Sequence, residues 1–451
     1  MTEKSQLARL GLFDAKVPRY TSYPTAPHFS GDVTPDDFAG WIEAIPTGTA
    51  ISLYVHVPFC RRLCWFCACR TQGISTDAPL EGYVNSLLAE LALTKARLPD
   101  GVTLSSLHLG GGTPTLLPAP LLDKLLGAIR DTVPMGEGAE ISVEIDPNEI
   151  DSARLDALVR AGMNRASIGV QDFDPDIQKI IGREQSYEVT HDAAAMIRDA
   201  GISGLNMDIL FGLPNQTRAR LSASVQKLLS LSPDRVALYG YAHVPWMAKR
   251  QQLIPSDALP TPEKRLKLYE TARQLFMWDG YNEIGIDHFA TESDGLTQAL
   301  LAGKLRRNFQ GYTDDQADYL IGVGASSISR FPQGYAQNAP ATGAHVGAIQ
   351  DGRFSTTRGH RFVGEDVMRA RIIEMIMCDF AVDAAEITDR FDISPADLSD
   401  LLSRVNAQFE NGLDLSERGL FIPESARPLT RMIARAVDAY DLSHTGHSPA
   451  I

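Results

Sequence analysis

The chain has 451 residues, of which 44% are hydrophobic and 22% are charged, a balance that excludes disordered and collagen-like proteins. Its 42 Lys and Arg residues face 56 Asp and Glu residues, and the net charge of −14 disfavours nucleic acid and acidic membranes as partners. No apolar stretch approaches the roughly 18 residues of a membrane span, and the N-terminal sequence lacks a secretory signal, which predicts a cytoplasmic protein.

The N-terminal half shows a regular alternation of predicted elements. Residues 1–35, which include RYTSYPTAPHFS, precede the first predicted helix and are expected to form an extended arm packed on the body. Helix-like stretches then separate runs of β-branched and aromatic residues, which predict strands at 51–58, 105–109, 140–145, 166–171, 204–211 and 235–242. This order predicts an α/β protein with a parallel sheet, open or closed into a barrel, and with reactive residues in the loops after the strands.

After about residue 355 the pattern turns helical and resembles a helix-turn-helix or winged-helix bundle. Residues 361–440 contain nine Arg, no Lys and fifteen Asp or Glu. An acidic surface of this kind disfavours DNA reading, so we expect this region to pack on the body or to serve as a lid.

Four of the five cysteines, Cys60, Cys64, Cys67 and Cys69, lie on one loop with the spacing C-x3-C-x2-C-x-C. Structural zinc sites usually join two separated pairs of ligands. Three thiolates on one short loop can instead hold three corners of a [4Fe–4S] cluster and leave the fourth iron open. We therefore predict a cluster, with zinc or a redox-switching disulfide set as alternatives; spacing alone does not decide which cysteine is spare. Cys378 is predicted to be a buried apolar residue.

Polar or small residues follow several predicted strands. Gly110, Gly111 and Gly112 precede Thr113, and the missing Cβ atoms would let the backbone approach a small polar ligand, although a plain tight turn is the alternative. Glu144 is placed to accept hydrogen bonds from ribose hydroxyls or, alternatively, to cap the next helix. Tyr54 lies six residues before Cys60, so strand alternation predicts that it faces the same site, with core packing as the alternative.

The C-x3-C-x2-C spacing of Cys60, Cys64 and Cys67 matches the signature of radical S-adenosylmethionine enzymes. The segments PRYTSYPTA, YVHVPFC, HLGGGTPT, EIDPN, GVQDF, NMDILFGLP and RNFQGYT follow one another along the chain. Over nearly its whole length the chain resembles the oxygen-independent coproporphyrinogen III oxidase family. The resemblance implies a partial (β/α)6 TIM-like barrel of radical SAM type at 36–355, an N-terminal arm at 1–35 and a mainly helical, winged-helix-like domain at 356–451.

The resemblance also implies the ligands of the site. It assigns a [4Fe–4S] cluster to Cys60, Cys64 and Cys67, with Cys69 as a nearby thiol that is not a ligand. It further implies two S-adenosylmethionine molecules, and the catalytic residues would be Tyr54 and Glu144. The residues expected at the first molecule are Tyr54, Gly111, Glu144 and Ile328, and those at the second are Phe66, Gly112, Thr113, Gln171, Arg183, Asp208 and Ala242. Arg183 would pair with a carboxylate, or else form a helix-end salt bridge.

The implied reaction is the anaerobic oxidative decarboxylation of two propionates of coproporphyrinogen III to vinyl groups, giving protoporphyrinogen IX through 5′-deoxyadenosyl radicals. A reducing electron donor such as flavodoxin or ferredoxin is the expected partner, and the chain is expected to be a monomer. Lys304, Arg306 and Arg307 are candidates to hold the substrate propionates, with a solvated helix face as the alternative.

A related radical enzyme or a chaperone that acts on haem itself is the rival interpretation. The segments YTSYPTA and RNFQGYT, together with Cys69, favour the oxidase family. A complete set of residues for a second cofactor molecule would also be superfluous in a chaperone.

Overall fold

The computed structural model describes residues 5–441 and 449–451. Near the start of the arm lies one helical turn, α1 (Gln6–Arg9), which is capped by the Ser5 side chain. The expectation that no helix precedes residue 35 is therefore wrong, because this short helix is present. The rest of the arm from residue 10 to residue 34 is irregular or extended, apart from a 3-10 turn at Ala26–His28. Helix α2 (Pro35–Glu43) follows, and Thr34 and Asp37 form a capping box at its start.

Strands and helices then alternate along the chain. In chain order they are β1 (Ala50–Val57), β2 (Phe59–Cys60), β3 (Gln72–Gly73), α3 (Ala78–Lys95), β4 (Thr103–Gly111), α4 (Ala119–Thr132), β5 (Met135–Ile145), α5 (Ser152–Arg160), β6 (Arg165–Gln171), α6 (Pro175–Ile181), α7 (Tyr187–Asp199), β7 (Gly204–Phe211), α8 (Arg218–Leu229) and β8 (Arg235–Gly240). All six predicted strands are present, within a few residues of the predicted bounds.

A second group of elements completes the sheet. These are α9 (Pro262–Trp278), β9 (Asn282–Ile284), β10 (His288–Ala290), α10 (Gly295–Leu301), β11 (Arg306–Asn308), β12 (Gly311–Thr313), β13 (Leu320–Val323), β14 (Ile328–Phe331), β15 (Gly334–Asn338), α11 (Thr342–Gln350) and β16 (Thr356–Arg361). Strands β11 and β12 form a separate antiparallel hairpin.

The main sheet has the strand order β16-β15-β14-β13-β1-β4-β5-β6-β7-β8-β10-β9. Strands β1, β4, β5, β6, β7 and β8 pair in parallel, and β13 pairs in parallel with β1. The remaining strands are antiparallel additions at both sides, and the sheet does not close on itself because β9 and β16 are its edges. The α/β class and the partial barrel are therefore confirmed.

The outer helices pack on this sheet through apolar stripes. In α4 the buried residues are Leu122, Leu125, Leu126 and Ile129, which recur at the spacing of one helix face. The strands contribute nearly continuous buried runs, as in β7, because parallel strands are covered on both faces. One large apolar core therefore joins the barrel strands to their helices.

The C-terminal region forms a second core. Its elements are α12 (Asp366–Asp379), β17 (Ala381–Asp383), α13 (Ala384–Arg390), α14 (Pro395–Gln408), β18 (Asp414–Ser416), β19 (Gly419–Phe421) and α15 (Thr430–Val437), and its three short strands form one antiparallel sheet. Leu12, Val17, Tyr20 and Tyr23 of the arm belong to the same core. The arm thus packs on the C-terminal helices. The division at residues 35 and 355 stays a prediction.

Two smaller expectations can be compared with this fold. Cys378 has no exposed surface, as predicted for an apolar core position. Among the described residues, no helix is both long enough and apolar enough to cross a membrane.

Candidate active site

A cavity of about 470 Å³ lies inside the barrel, lined by side chains of β1 and β4 to β8 and by the β11–β12 hairpin. Five residues singled out from the sequence line it together: Tyr54, Gly111, Glu144, Asp208 and Ile328. Cys69 bounds the cavity at the side of the cysteine loop. The barrel therefore brings these five positions, from four strands and the end of β4, around one space.

Tyr54 belongs to a hydrogen-bonded pair on β1. Its hydroxyl lies 2.9 Å from His56 Nδ1, and His56 Nε2 lies 3.2 Å from the Arg70 carbonyl oxygen. Because a carbonyl only accepts, His56 carries its proton on Nε2 and its Nδ1 accepts from Tyr54. The Tyr54 ring also stacks on His108, with ring centroids 5.8 Å apart. His56 and His108 received no role from the sequence, although strand alternation places His56 on the same face as Tyr54.

Glu144 faces the cavity at the end of β5. Its Oε2 accepts from the Gly111 N–H at 3.0 Å, and its Oε1 lies 3.3 Å from His108 Nε2. Burial alone would raise the pKa of Glu144, but the hydrogen bonds from His108 and Gly111 hold this pKa below its ordinary value. Helix α5 is capped by Asp151, so Glu144 does not cap the next helix. An ionised acceptor thus faces the cavity.

Asp208 provides a second carboxyl group in the same wall. Burial, together with the charge of the nearby Glu144, raises its pKa to about 7, against the hydrogen bond from Asn206. Asn206 Nδ2 donates to Asp208 Oδ1 at 2.9 Å, while its own side-chain oxygen is buried without a hydrogen-bond partner among the described residues. Asn206 was not found from the sequence, yet it lies two residues before Asp208 on β7 and lines the same cavity.

The glycine turn lies directly against the backbone that leads into the cysteine loop. The N–H groups of Gly112 and Thr113 donate to the carbonyl oxygens of Val57 and Phe59, both at 2.8 Å. A Cβ added at Gly112 would lie 2.5 Å from the Phe59 oxygen, so a side chain there has no room. Gly111 has φ +111°, a conformation that favours glycine. The turn therefore sets the distance between β4 and the residues around Cys60.

The cysteine loop carries free thiols that fit an iron–sulfur cluster. Cys60, Cys64 and Cys67 are partly buried, Cys69 is exposed, and none forms a disulfide. Among residues 5–441 and 449–451, no three His, Cys, Asp or Glu side chains gather as ligands of a metal ion. Thiolates of a cluster bind different iron atoms, so they need not converge on one point. The donor set is consistent with a cluster.

Polar groups surround these sulfurs. The Thr113 and Thr71 hydroxyls bond the Cys60 thiol, although burial is the larger effect and raises the pKa of Cys60 to about 11. The Cys69 thiol and N–H both bond to Cys67, and they lower the pKa of Cys67 to about 6. Hydrogen bonds to sulfur are among the means by which proteins tune such clusters.

Comparisons with known proteins agree with this geometry. The Radical SAM superfamily model matches residues 54–228. Two proteins named oxygen-independent coproporphyrinogen III oxidase are similar over most or all of the chain. That of Paracoccus denitrificans is 65% identical over 451 residues, covering 100% of both chains, and that of Cereibacter sphaeroides is 57% identical over 443 residues, covering 98% of both.

This chain belongs to the oxygen-independent coproporphyrinogen III oxidase family. A solved structure of the Escherichia coli coproporphyrinogen III oxidase, described as a radical SAM enzyme, matches with a TM-score of 0.90 and 33% identity, covering 95% of this chain and 100% of that one. Membership in this family carries a [4Fe–4S] cluster and S-adenosylmethionine as cofactors.

Arg183 is the basic residue that the family resemblance assigned to the second S-adenosylmethionine. Its Nη1 lies 3.5 Å from Cys64 Sγ and 3.7 Å from Asp146 Oδ2, and its Nη2 donates to the Gly169 carbonyl at 2.8 Å. Burial would lower the pKa of Arg183, but Asp146 and Cys64 raise it above its ordinary value. Arg183 directly follows the C-cap of α6 and pairs with Asp146, so the helix-end salt bridge considered as the alternative is present, in a largely buried position.

Phe66, Gln171 and Ala242 are not among the residues that line the cavity. The side chain of Gln251, which is fully buried, donates to the carbonyl oxygens of Phe66 at 2.7 Å and Ala242 at 3.0 Å. Gln171 has a φ of +67° at the end of β6. Gln251 was not predicted from the sequence, because it lies in a 3-10 helix after β8 (Lys249–Leu253) that is too short to show a periodic pattern.

The three basic residues near RNFQGYT do not form one group. Arg306 Nε donates to Glu374 at 2.9 Å, Lys304 is exposed, and Arg307 is buried with its guanidinium 4.4 Å from the Tyr312 ring centroid. The alternative of a solvated helix face is wrong for Arg306 and Arg307, because both lie in β11. Contact of this set with substrate propionates stays a prediction.

Proposed function

We propose that this chain catalyses the oxygen-independent oxidative decarboxylation of two propionates of coproporphyrinogen III to vinyl groups, giving protoporphyrinogen IX. The observation that carries this proposal is identity of 65% over the whole length with a protein of that name. The cavity beside the cysteine loop supports it, because its wall combines an ionised acceptor with buried polar groups.

Each residue of the site has a defined part in this proposal. When bound, the [4Fe–4S] cluster and S-adenosylmethionine supply a radical that can remove a hydrogen atom from a propionate side chain. Cys60, Cys64 and Cys67 would hold the cluster. Glu144 would accept hydrogen bonds from the cofactor hydroxyls, and Tyr54, which stacks on His108 beside Glu144, would contact the cofactor from the same wall. Exclusion of water by the arm and the C-terminal region would protect the reaction from side products.

We further propose that two S-adenosylmethionine molecules bind. Tyr54, Gly111, Glu144 and Ile328 would hold the first. Phe66, Gly112, Thr113, Gln171, Arg183, Asp208 and Ala242 would hold the second. The position of Arg183 supports a second molecule, since its buried Nε has no hydrogen-bond partner within the described residues and a carboxylate would provide one. Equilibrium dialysis of the reconstituted protein with labelled cofactor counts the molecules directly; a plateau at one per chain would contradict this stoichiometry.

Three further proposals concern the setting of the reaction. A reduced carrier such as flavodoxin or ferredoxin supplies the electron, the chain acts as a monomer, and it works in the cytoplasm. Sedimentation of the reconstituted protein tests the second of these, and a dimer at micromolar concentration would contradict it.

The activity test is anaerobic. The protein is reconstituted with iron and sulfide, mixed with dithionite, S-adenosylmethionine and coproporphyrinogen III, and analysed by chromatography for 5′-deoxyadenosine and protoporphyrinogen. Both products are expected together. Deoxyadenosine without a vinyl product would favour a related enzyme that acts on haem. Neither product, with a normal cluster and tight haem binding, would favour a haem chaperone.

A further inference from the structure

A second pocket, of about 200 Å³, lies between α9, the arm and the C-terminal region, and we call it the arginine pocket. Six arginines line it: Arg19, Arg265, Arg273, Arg307, Arg427 and Arg431. Four carboxylic acids line it as well: Glu270, Glu283, Asp287 and Glu424. Within a chain of net charge −14, this pocket therefore holds more cations than anions.

Two of the arginines pair with carboxylates at less than 3 Å. Arg273 pairs with Glu283 at 2.6 Å and with Glu424 at 2.9 Å, and Arg427 pairs with Glu283 at 2.9 Å. The charges of these four side chains balance one another. They form one side of the pocket and need no further ligand.

Three other arginines of the pocket, Arg19, Arg265 and Arg431, donate to main-chain oxygens. Within the described part of the chain, none of them pairs with a carboxylate side chain. Arg19 donates to the Gly240 carbonyl at 2.6 Å, and Arg265 donates to the main-chain oxygens of Ile451 at 3.0 Å and Gly212 at 3.3 Å. Arg431 donates to four main-chain oxygens, those of Val17, Pro18, Pro449 and Ala450. The carbonyl oxygens around Arg19 and Arg431 satisfy donors but carry no net charge, and Asp287 is a carboxylate whose charge acts on both arginines.

Arg307 is the remaining arginine of the pocket. It lies 3.7 Å from Asp287, which is also bonded to His288 at 2.7 Å, and its Nε and Nη1 have no hydrogen-bond partner among the described residues. Burial lowers the pKa of both Arg265 and Arg431, and the nearby Arg19 lowers each further. Guanidinium groups nevertheless stay charged near neutral pH, so an anion in this pocket would relieve their mutual repulsion.

The arginine pocket adjoins the barrel cavity. On β8, Tyr239 lines the cavity, while its neighbours Leu238 and Gly240 line the pocket. Arg307 lines the pocket from the hairpin whose next residues, Asn308 and Phe309, line the cavity. The end of β8 at Gly240 and the hairpin therefore separate the two spaces, and a ligand that occupies both must pass around them.

We propose that the arginine pocket binds carboxylates, and that these belong to the propionates that the reaction leaves in place. This assignment rests on the proposed function. In the sheet, β8 lies three strands from β5, which carries Glu144, so carboxylates seated in the pocket are remote from the reacting side chains. Bidentate contacts with guanidinium groups fix a flexible tetrapyrrole, and such remote contacts can be used to position the reacting end.

The test measures binding of mesoporphyrin IX, whose two carboxylates correspond to the propionates that remain, and of its uncharged dimethyl ester. Each probe is titrated by fluorescence into the anaerobically reconstituted protein and into Arg19→Gln and Arg307→Gln. Each variant is expected to weaken diacid binding by about tenfold or more, as for loss of a charged hydrogen bond, and to leave ester binding unchanged. Arg160→Gln is the matched control, because Arg160 pairs with Asp123 on the outer surface.

Unchanged diacid affinity in both variants would overturn the assignment, as would an equal loss of ester binding. Arg19→Lys keeps the charge and is expected to recover part of the affinity. If Arg19→Gln does not fold, Arg307→Gln alone decides the result, with its melting temperature as the check on folding. Failure of the wild-type chain to form protoporphyrinogen would refute the proposed function. An active wild type with unaltered diacid binding in the variants would refute the pocket assignment only.

Discussion

Replacing Glu90 by glutamine is expected to remove a pH dependence from the stability of the fold. Glu90 lies on α3 with 1% of its surface exposed, and its carboxyl oxygens accept from Gly324 N–H at 2.7 Å and Asn338 Nδ2 at 2.6 Å. Burial raises the pKa of Glu90 from 4.5 to about 7, although both hydrogen bonds oppose the shift. His345 lies 3.5 Å away, but burial lowers its pKa to about 4, so it stays neutral above pH 5.

The sign and size of the effect follow from linkage. Because the pKa of Glu90 is higher in the folded than in the unfolded chain, its contribution to stability is greatest below pH 4.5 and is lost as the pH rises to 7. A shift from 4.5 to about 7 corresponds to roughly 3 kcal/mol in all. Of this loss, roughly 2.5 kcal/mol falls between pH 5 and pH 8.

The assay is equilibrium urea unfolding of the wild type and Glu90→Gln at pH 5 and pH 8, followed by tryptophan fluorescence. The glutamine amide fits less well beside the Gly324 N–H and lowers the stability of the variant. This loss does not depend on pH, so it cancels when the stability of the variant at pH 5 is compared with that at pH 8. Between these values the wild type is expected to lose roughly 2.5 kcal/mol more stability than the variant. Glu81→Gln, at an exposed position of the same helix, is the control. Equal pH dependence in wild type and Glu90→Gln would refute this reasoning.

Four other substitutions test the site. Cys64→Ser is expected to lose iron and the visible absorbance of the cluster, whereas Cys69→Ser is expected to keep both; equal iron loss in the two variants would make Cys69 a ligand. Gly112→Ala is expected to impair cluster assembly, measured as iron per chain, because its Cβ would meet the Phe59 oxygen at 2.5 Å, and full iron content would contradict this. Glu144→Gln is expected to weaken S-adenosylmethionine binding by about tenfold in equilibrium dialysis, since an ionised acceptor is lost; unchanged affinity would remove Glu144 from the cofactor site.

Local pattern was enough to predict several features of this protein. The cysteine loop, the glycine turn after β4 and the six parallel strands were all placed from the sequence. Each depends on residues that are close along the chain, where spacing and side-chain size fix the backbone. Strand alternation similarly accounts for Tyr54 and His56 facing one cavity.

The antiparallel strands at both sides of the sheet could not be predicted from local sequence pattern. Strands β9, β10 and β14 have only three or four residues each, too few for a periodic signal. The single turn α1 was also missed, because four residues are too few to show a helical period. Tertiary pairing, rather than local propensity, decides such short elements.

The sequence by itself therefore determined the chemistry that the chain can hold, through the cysteines, the glycine turn and the strand order. Only the tertiary structure decided which charges are compensated. Arg306 and Arg307 are neighbours in sequence, yet Arg306 meets Glu374 while Arg307 turns to the arginine pocket beside Arg19 and Arg431. Pairing of buried charges depends on groups that the fold brings together from separate parts of the chain, and local sequence spacing does not show which groups will meet.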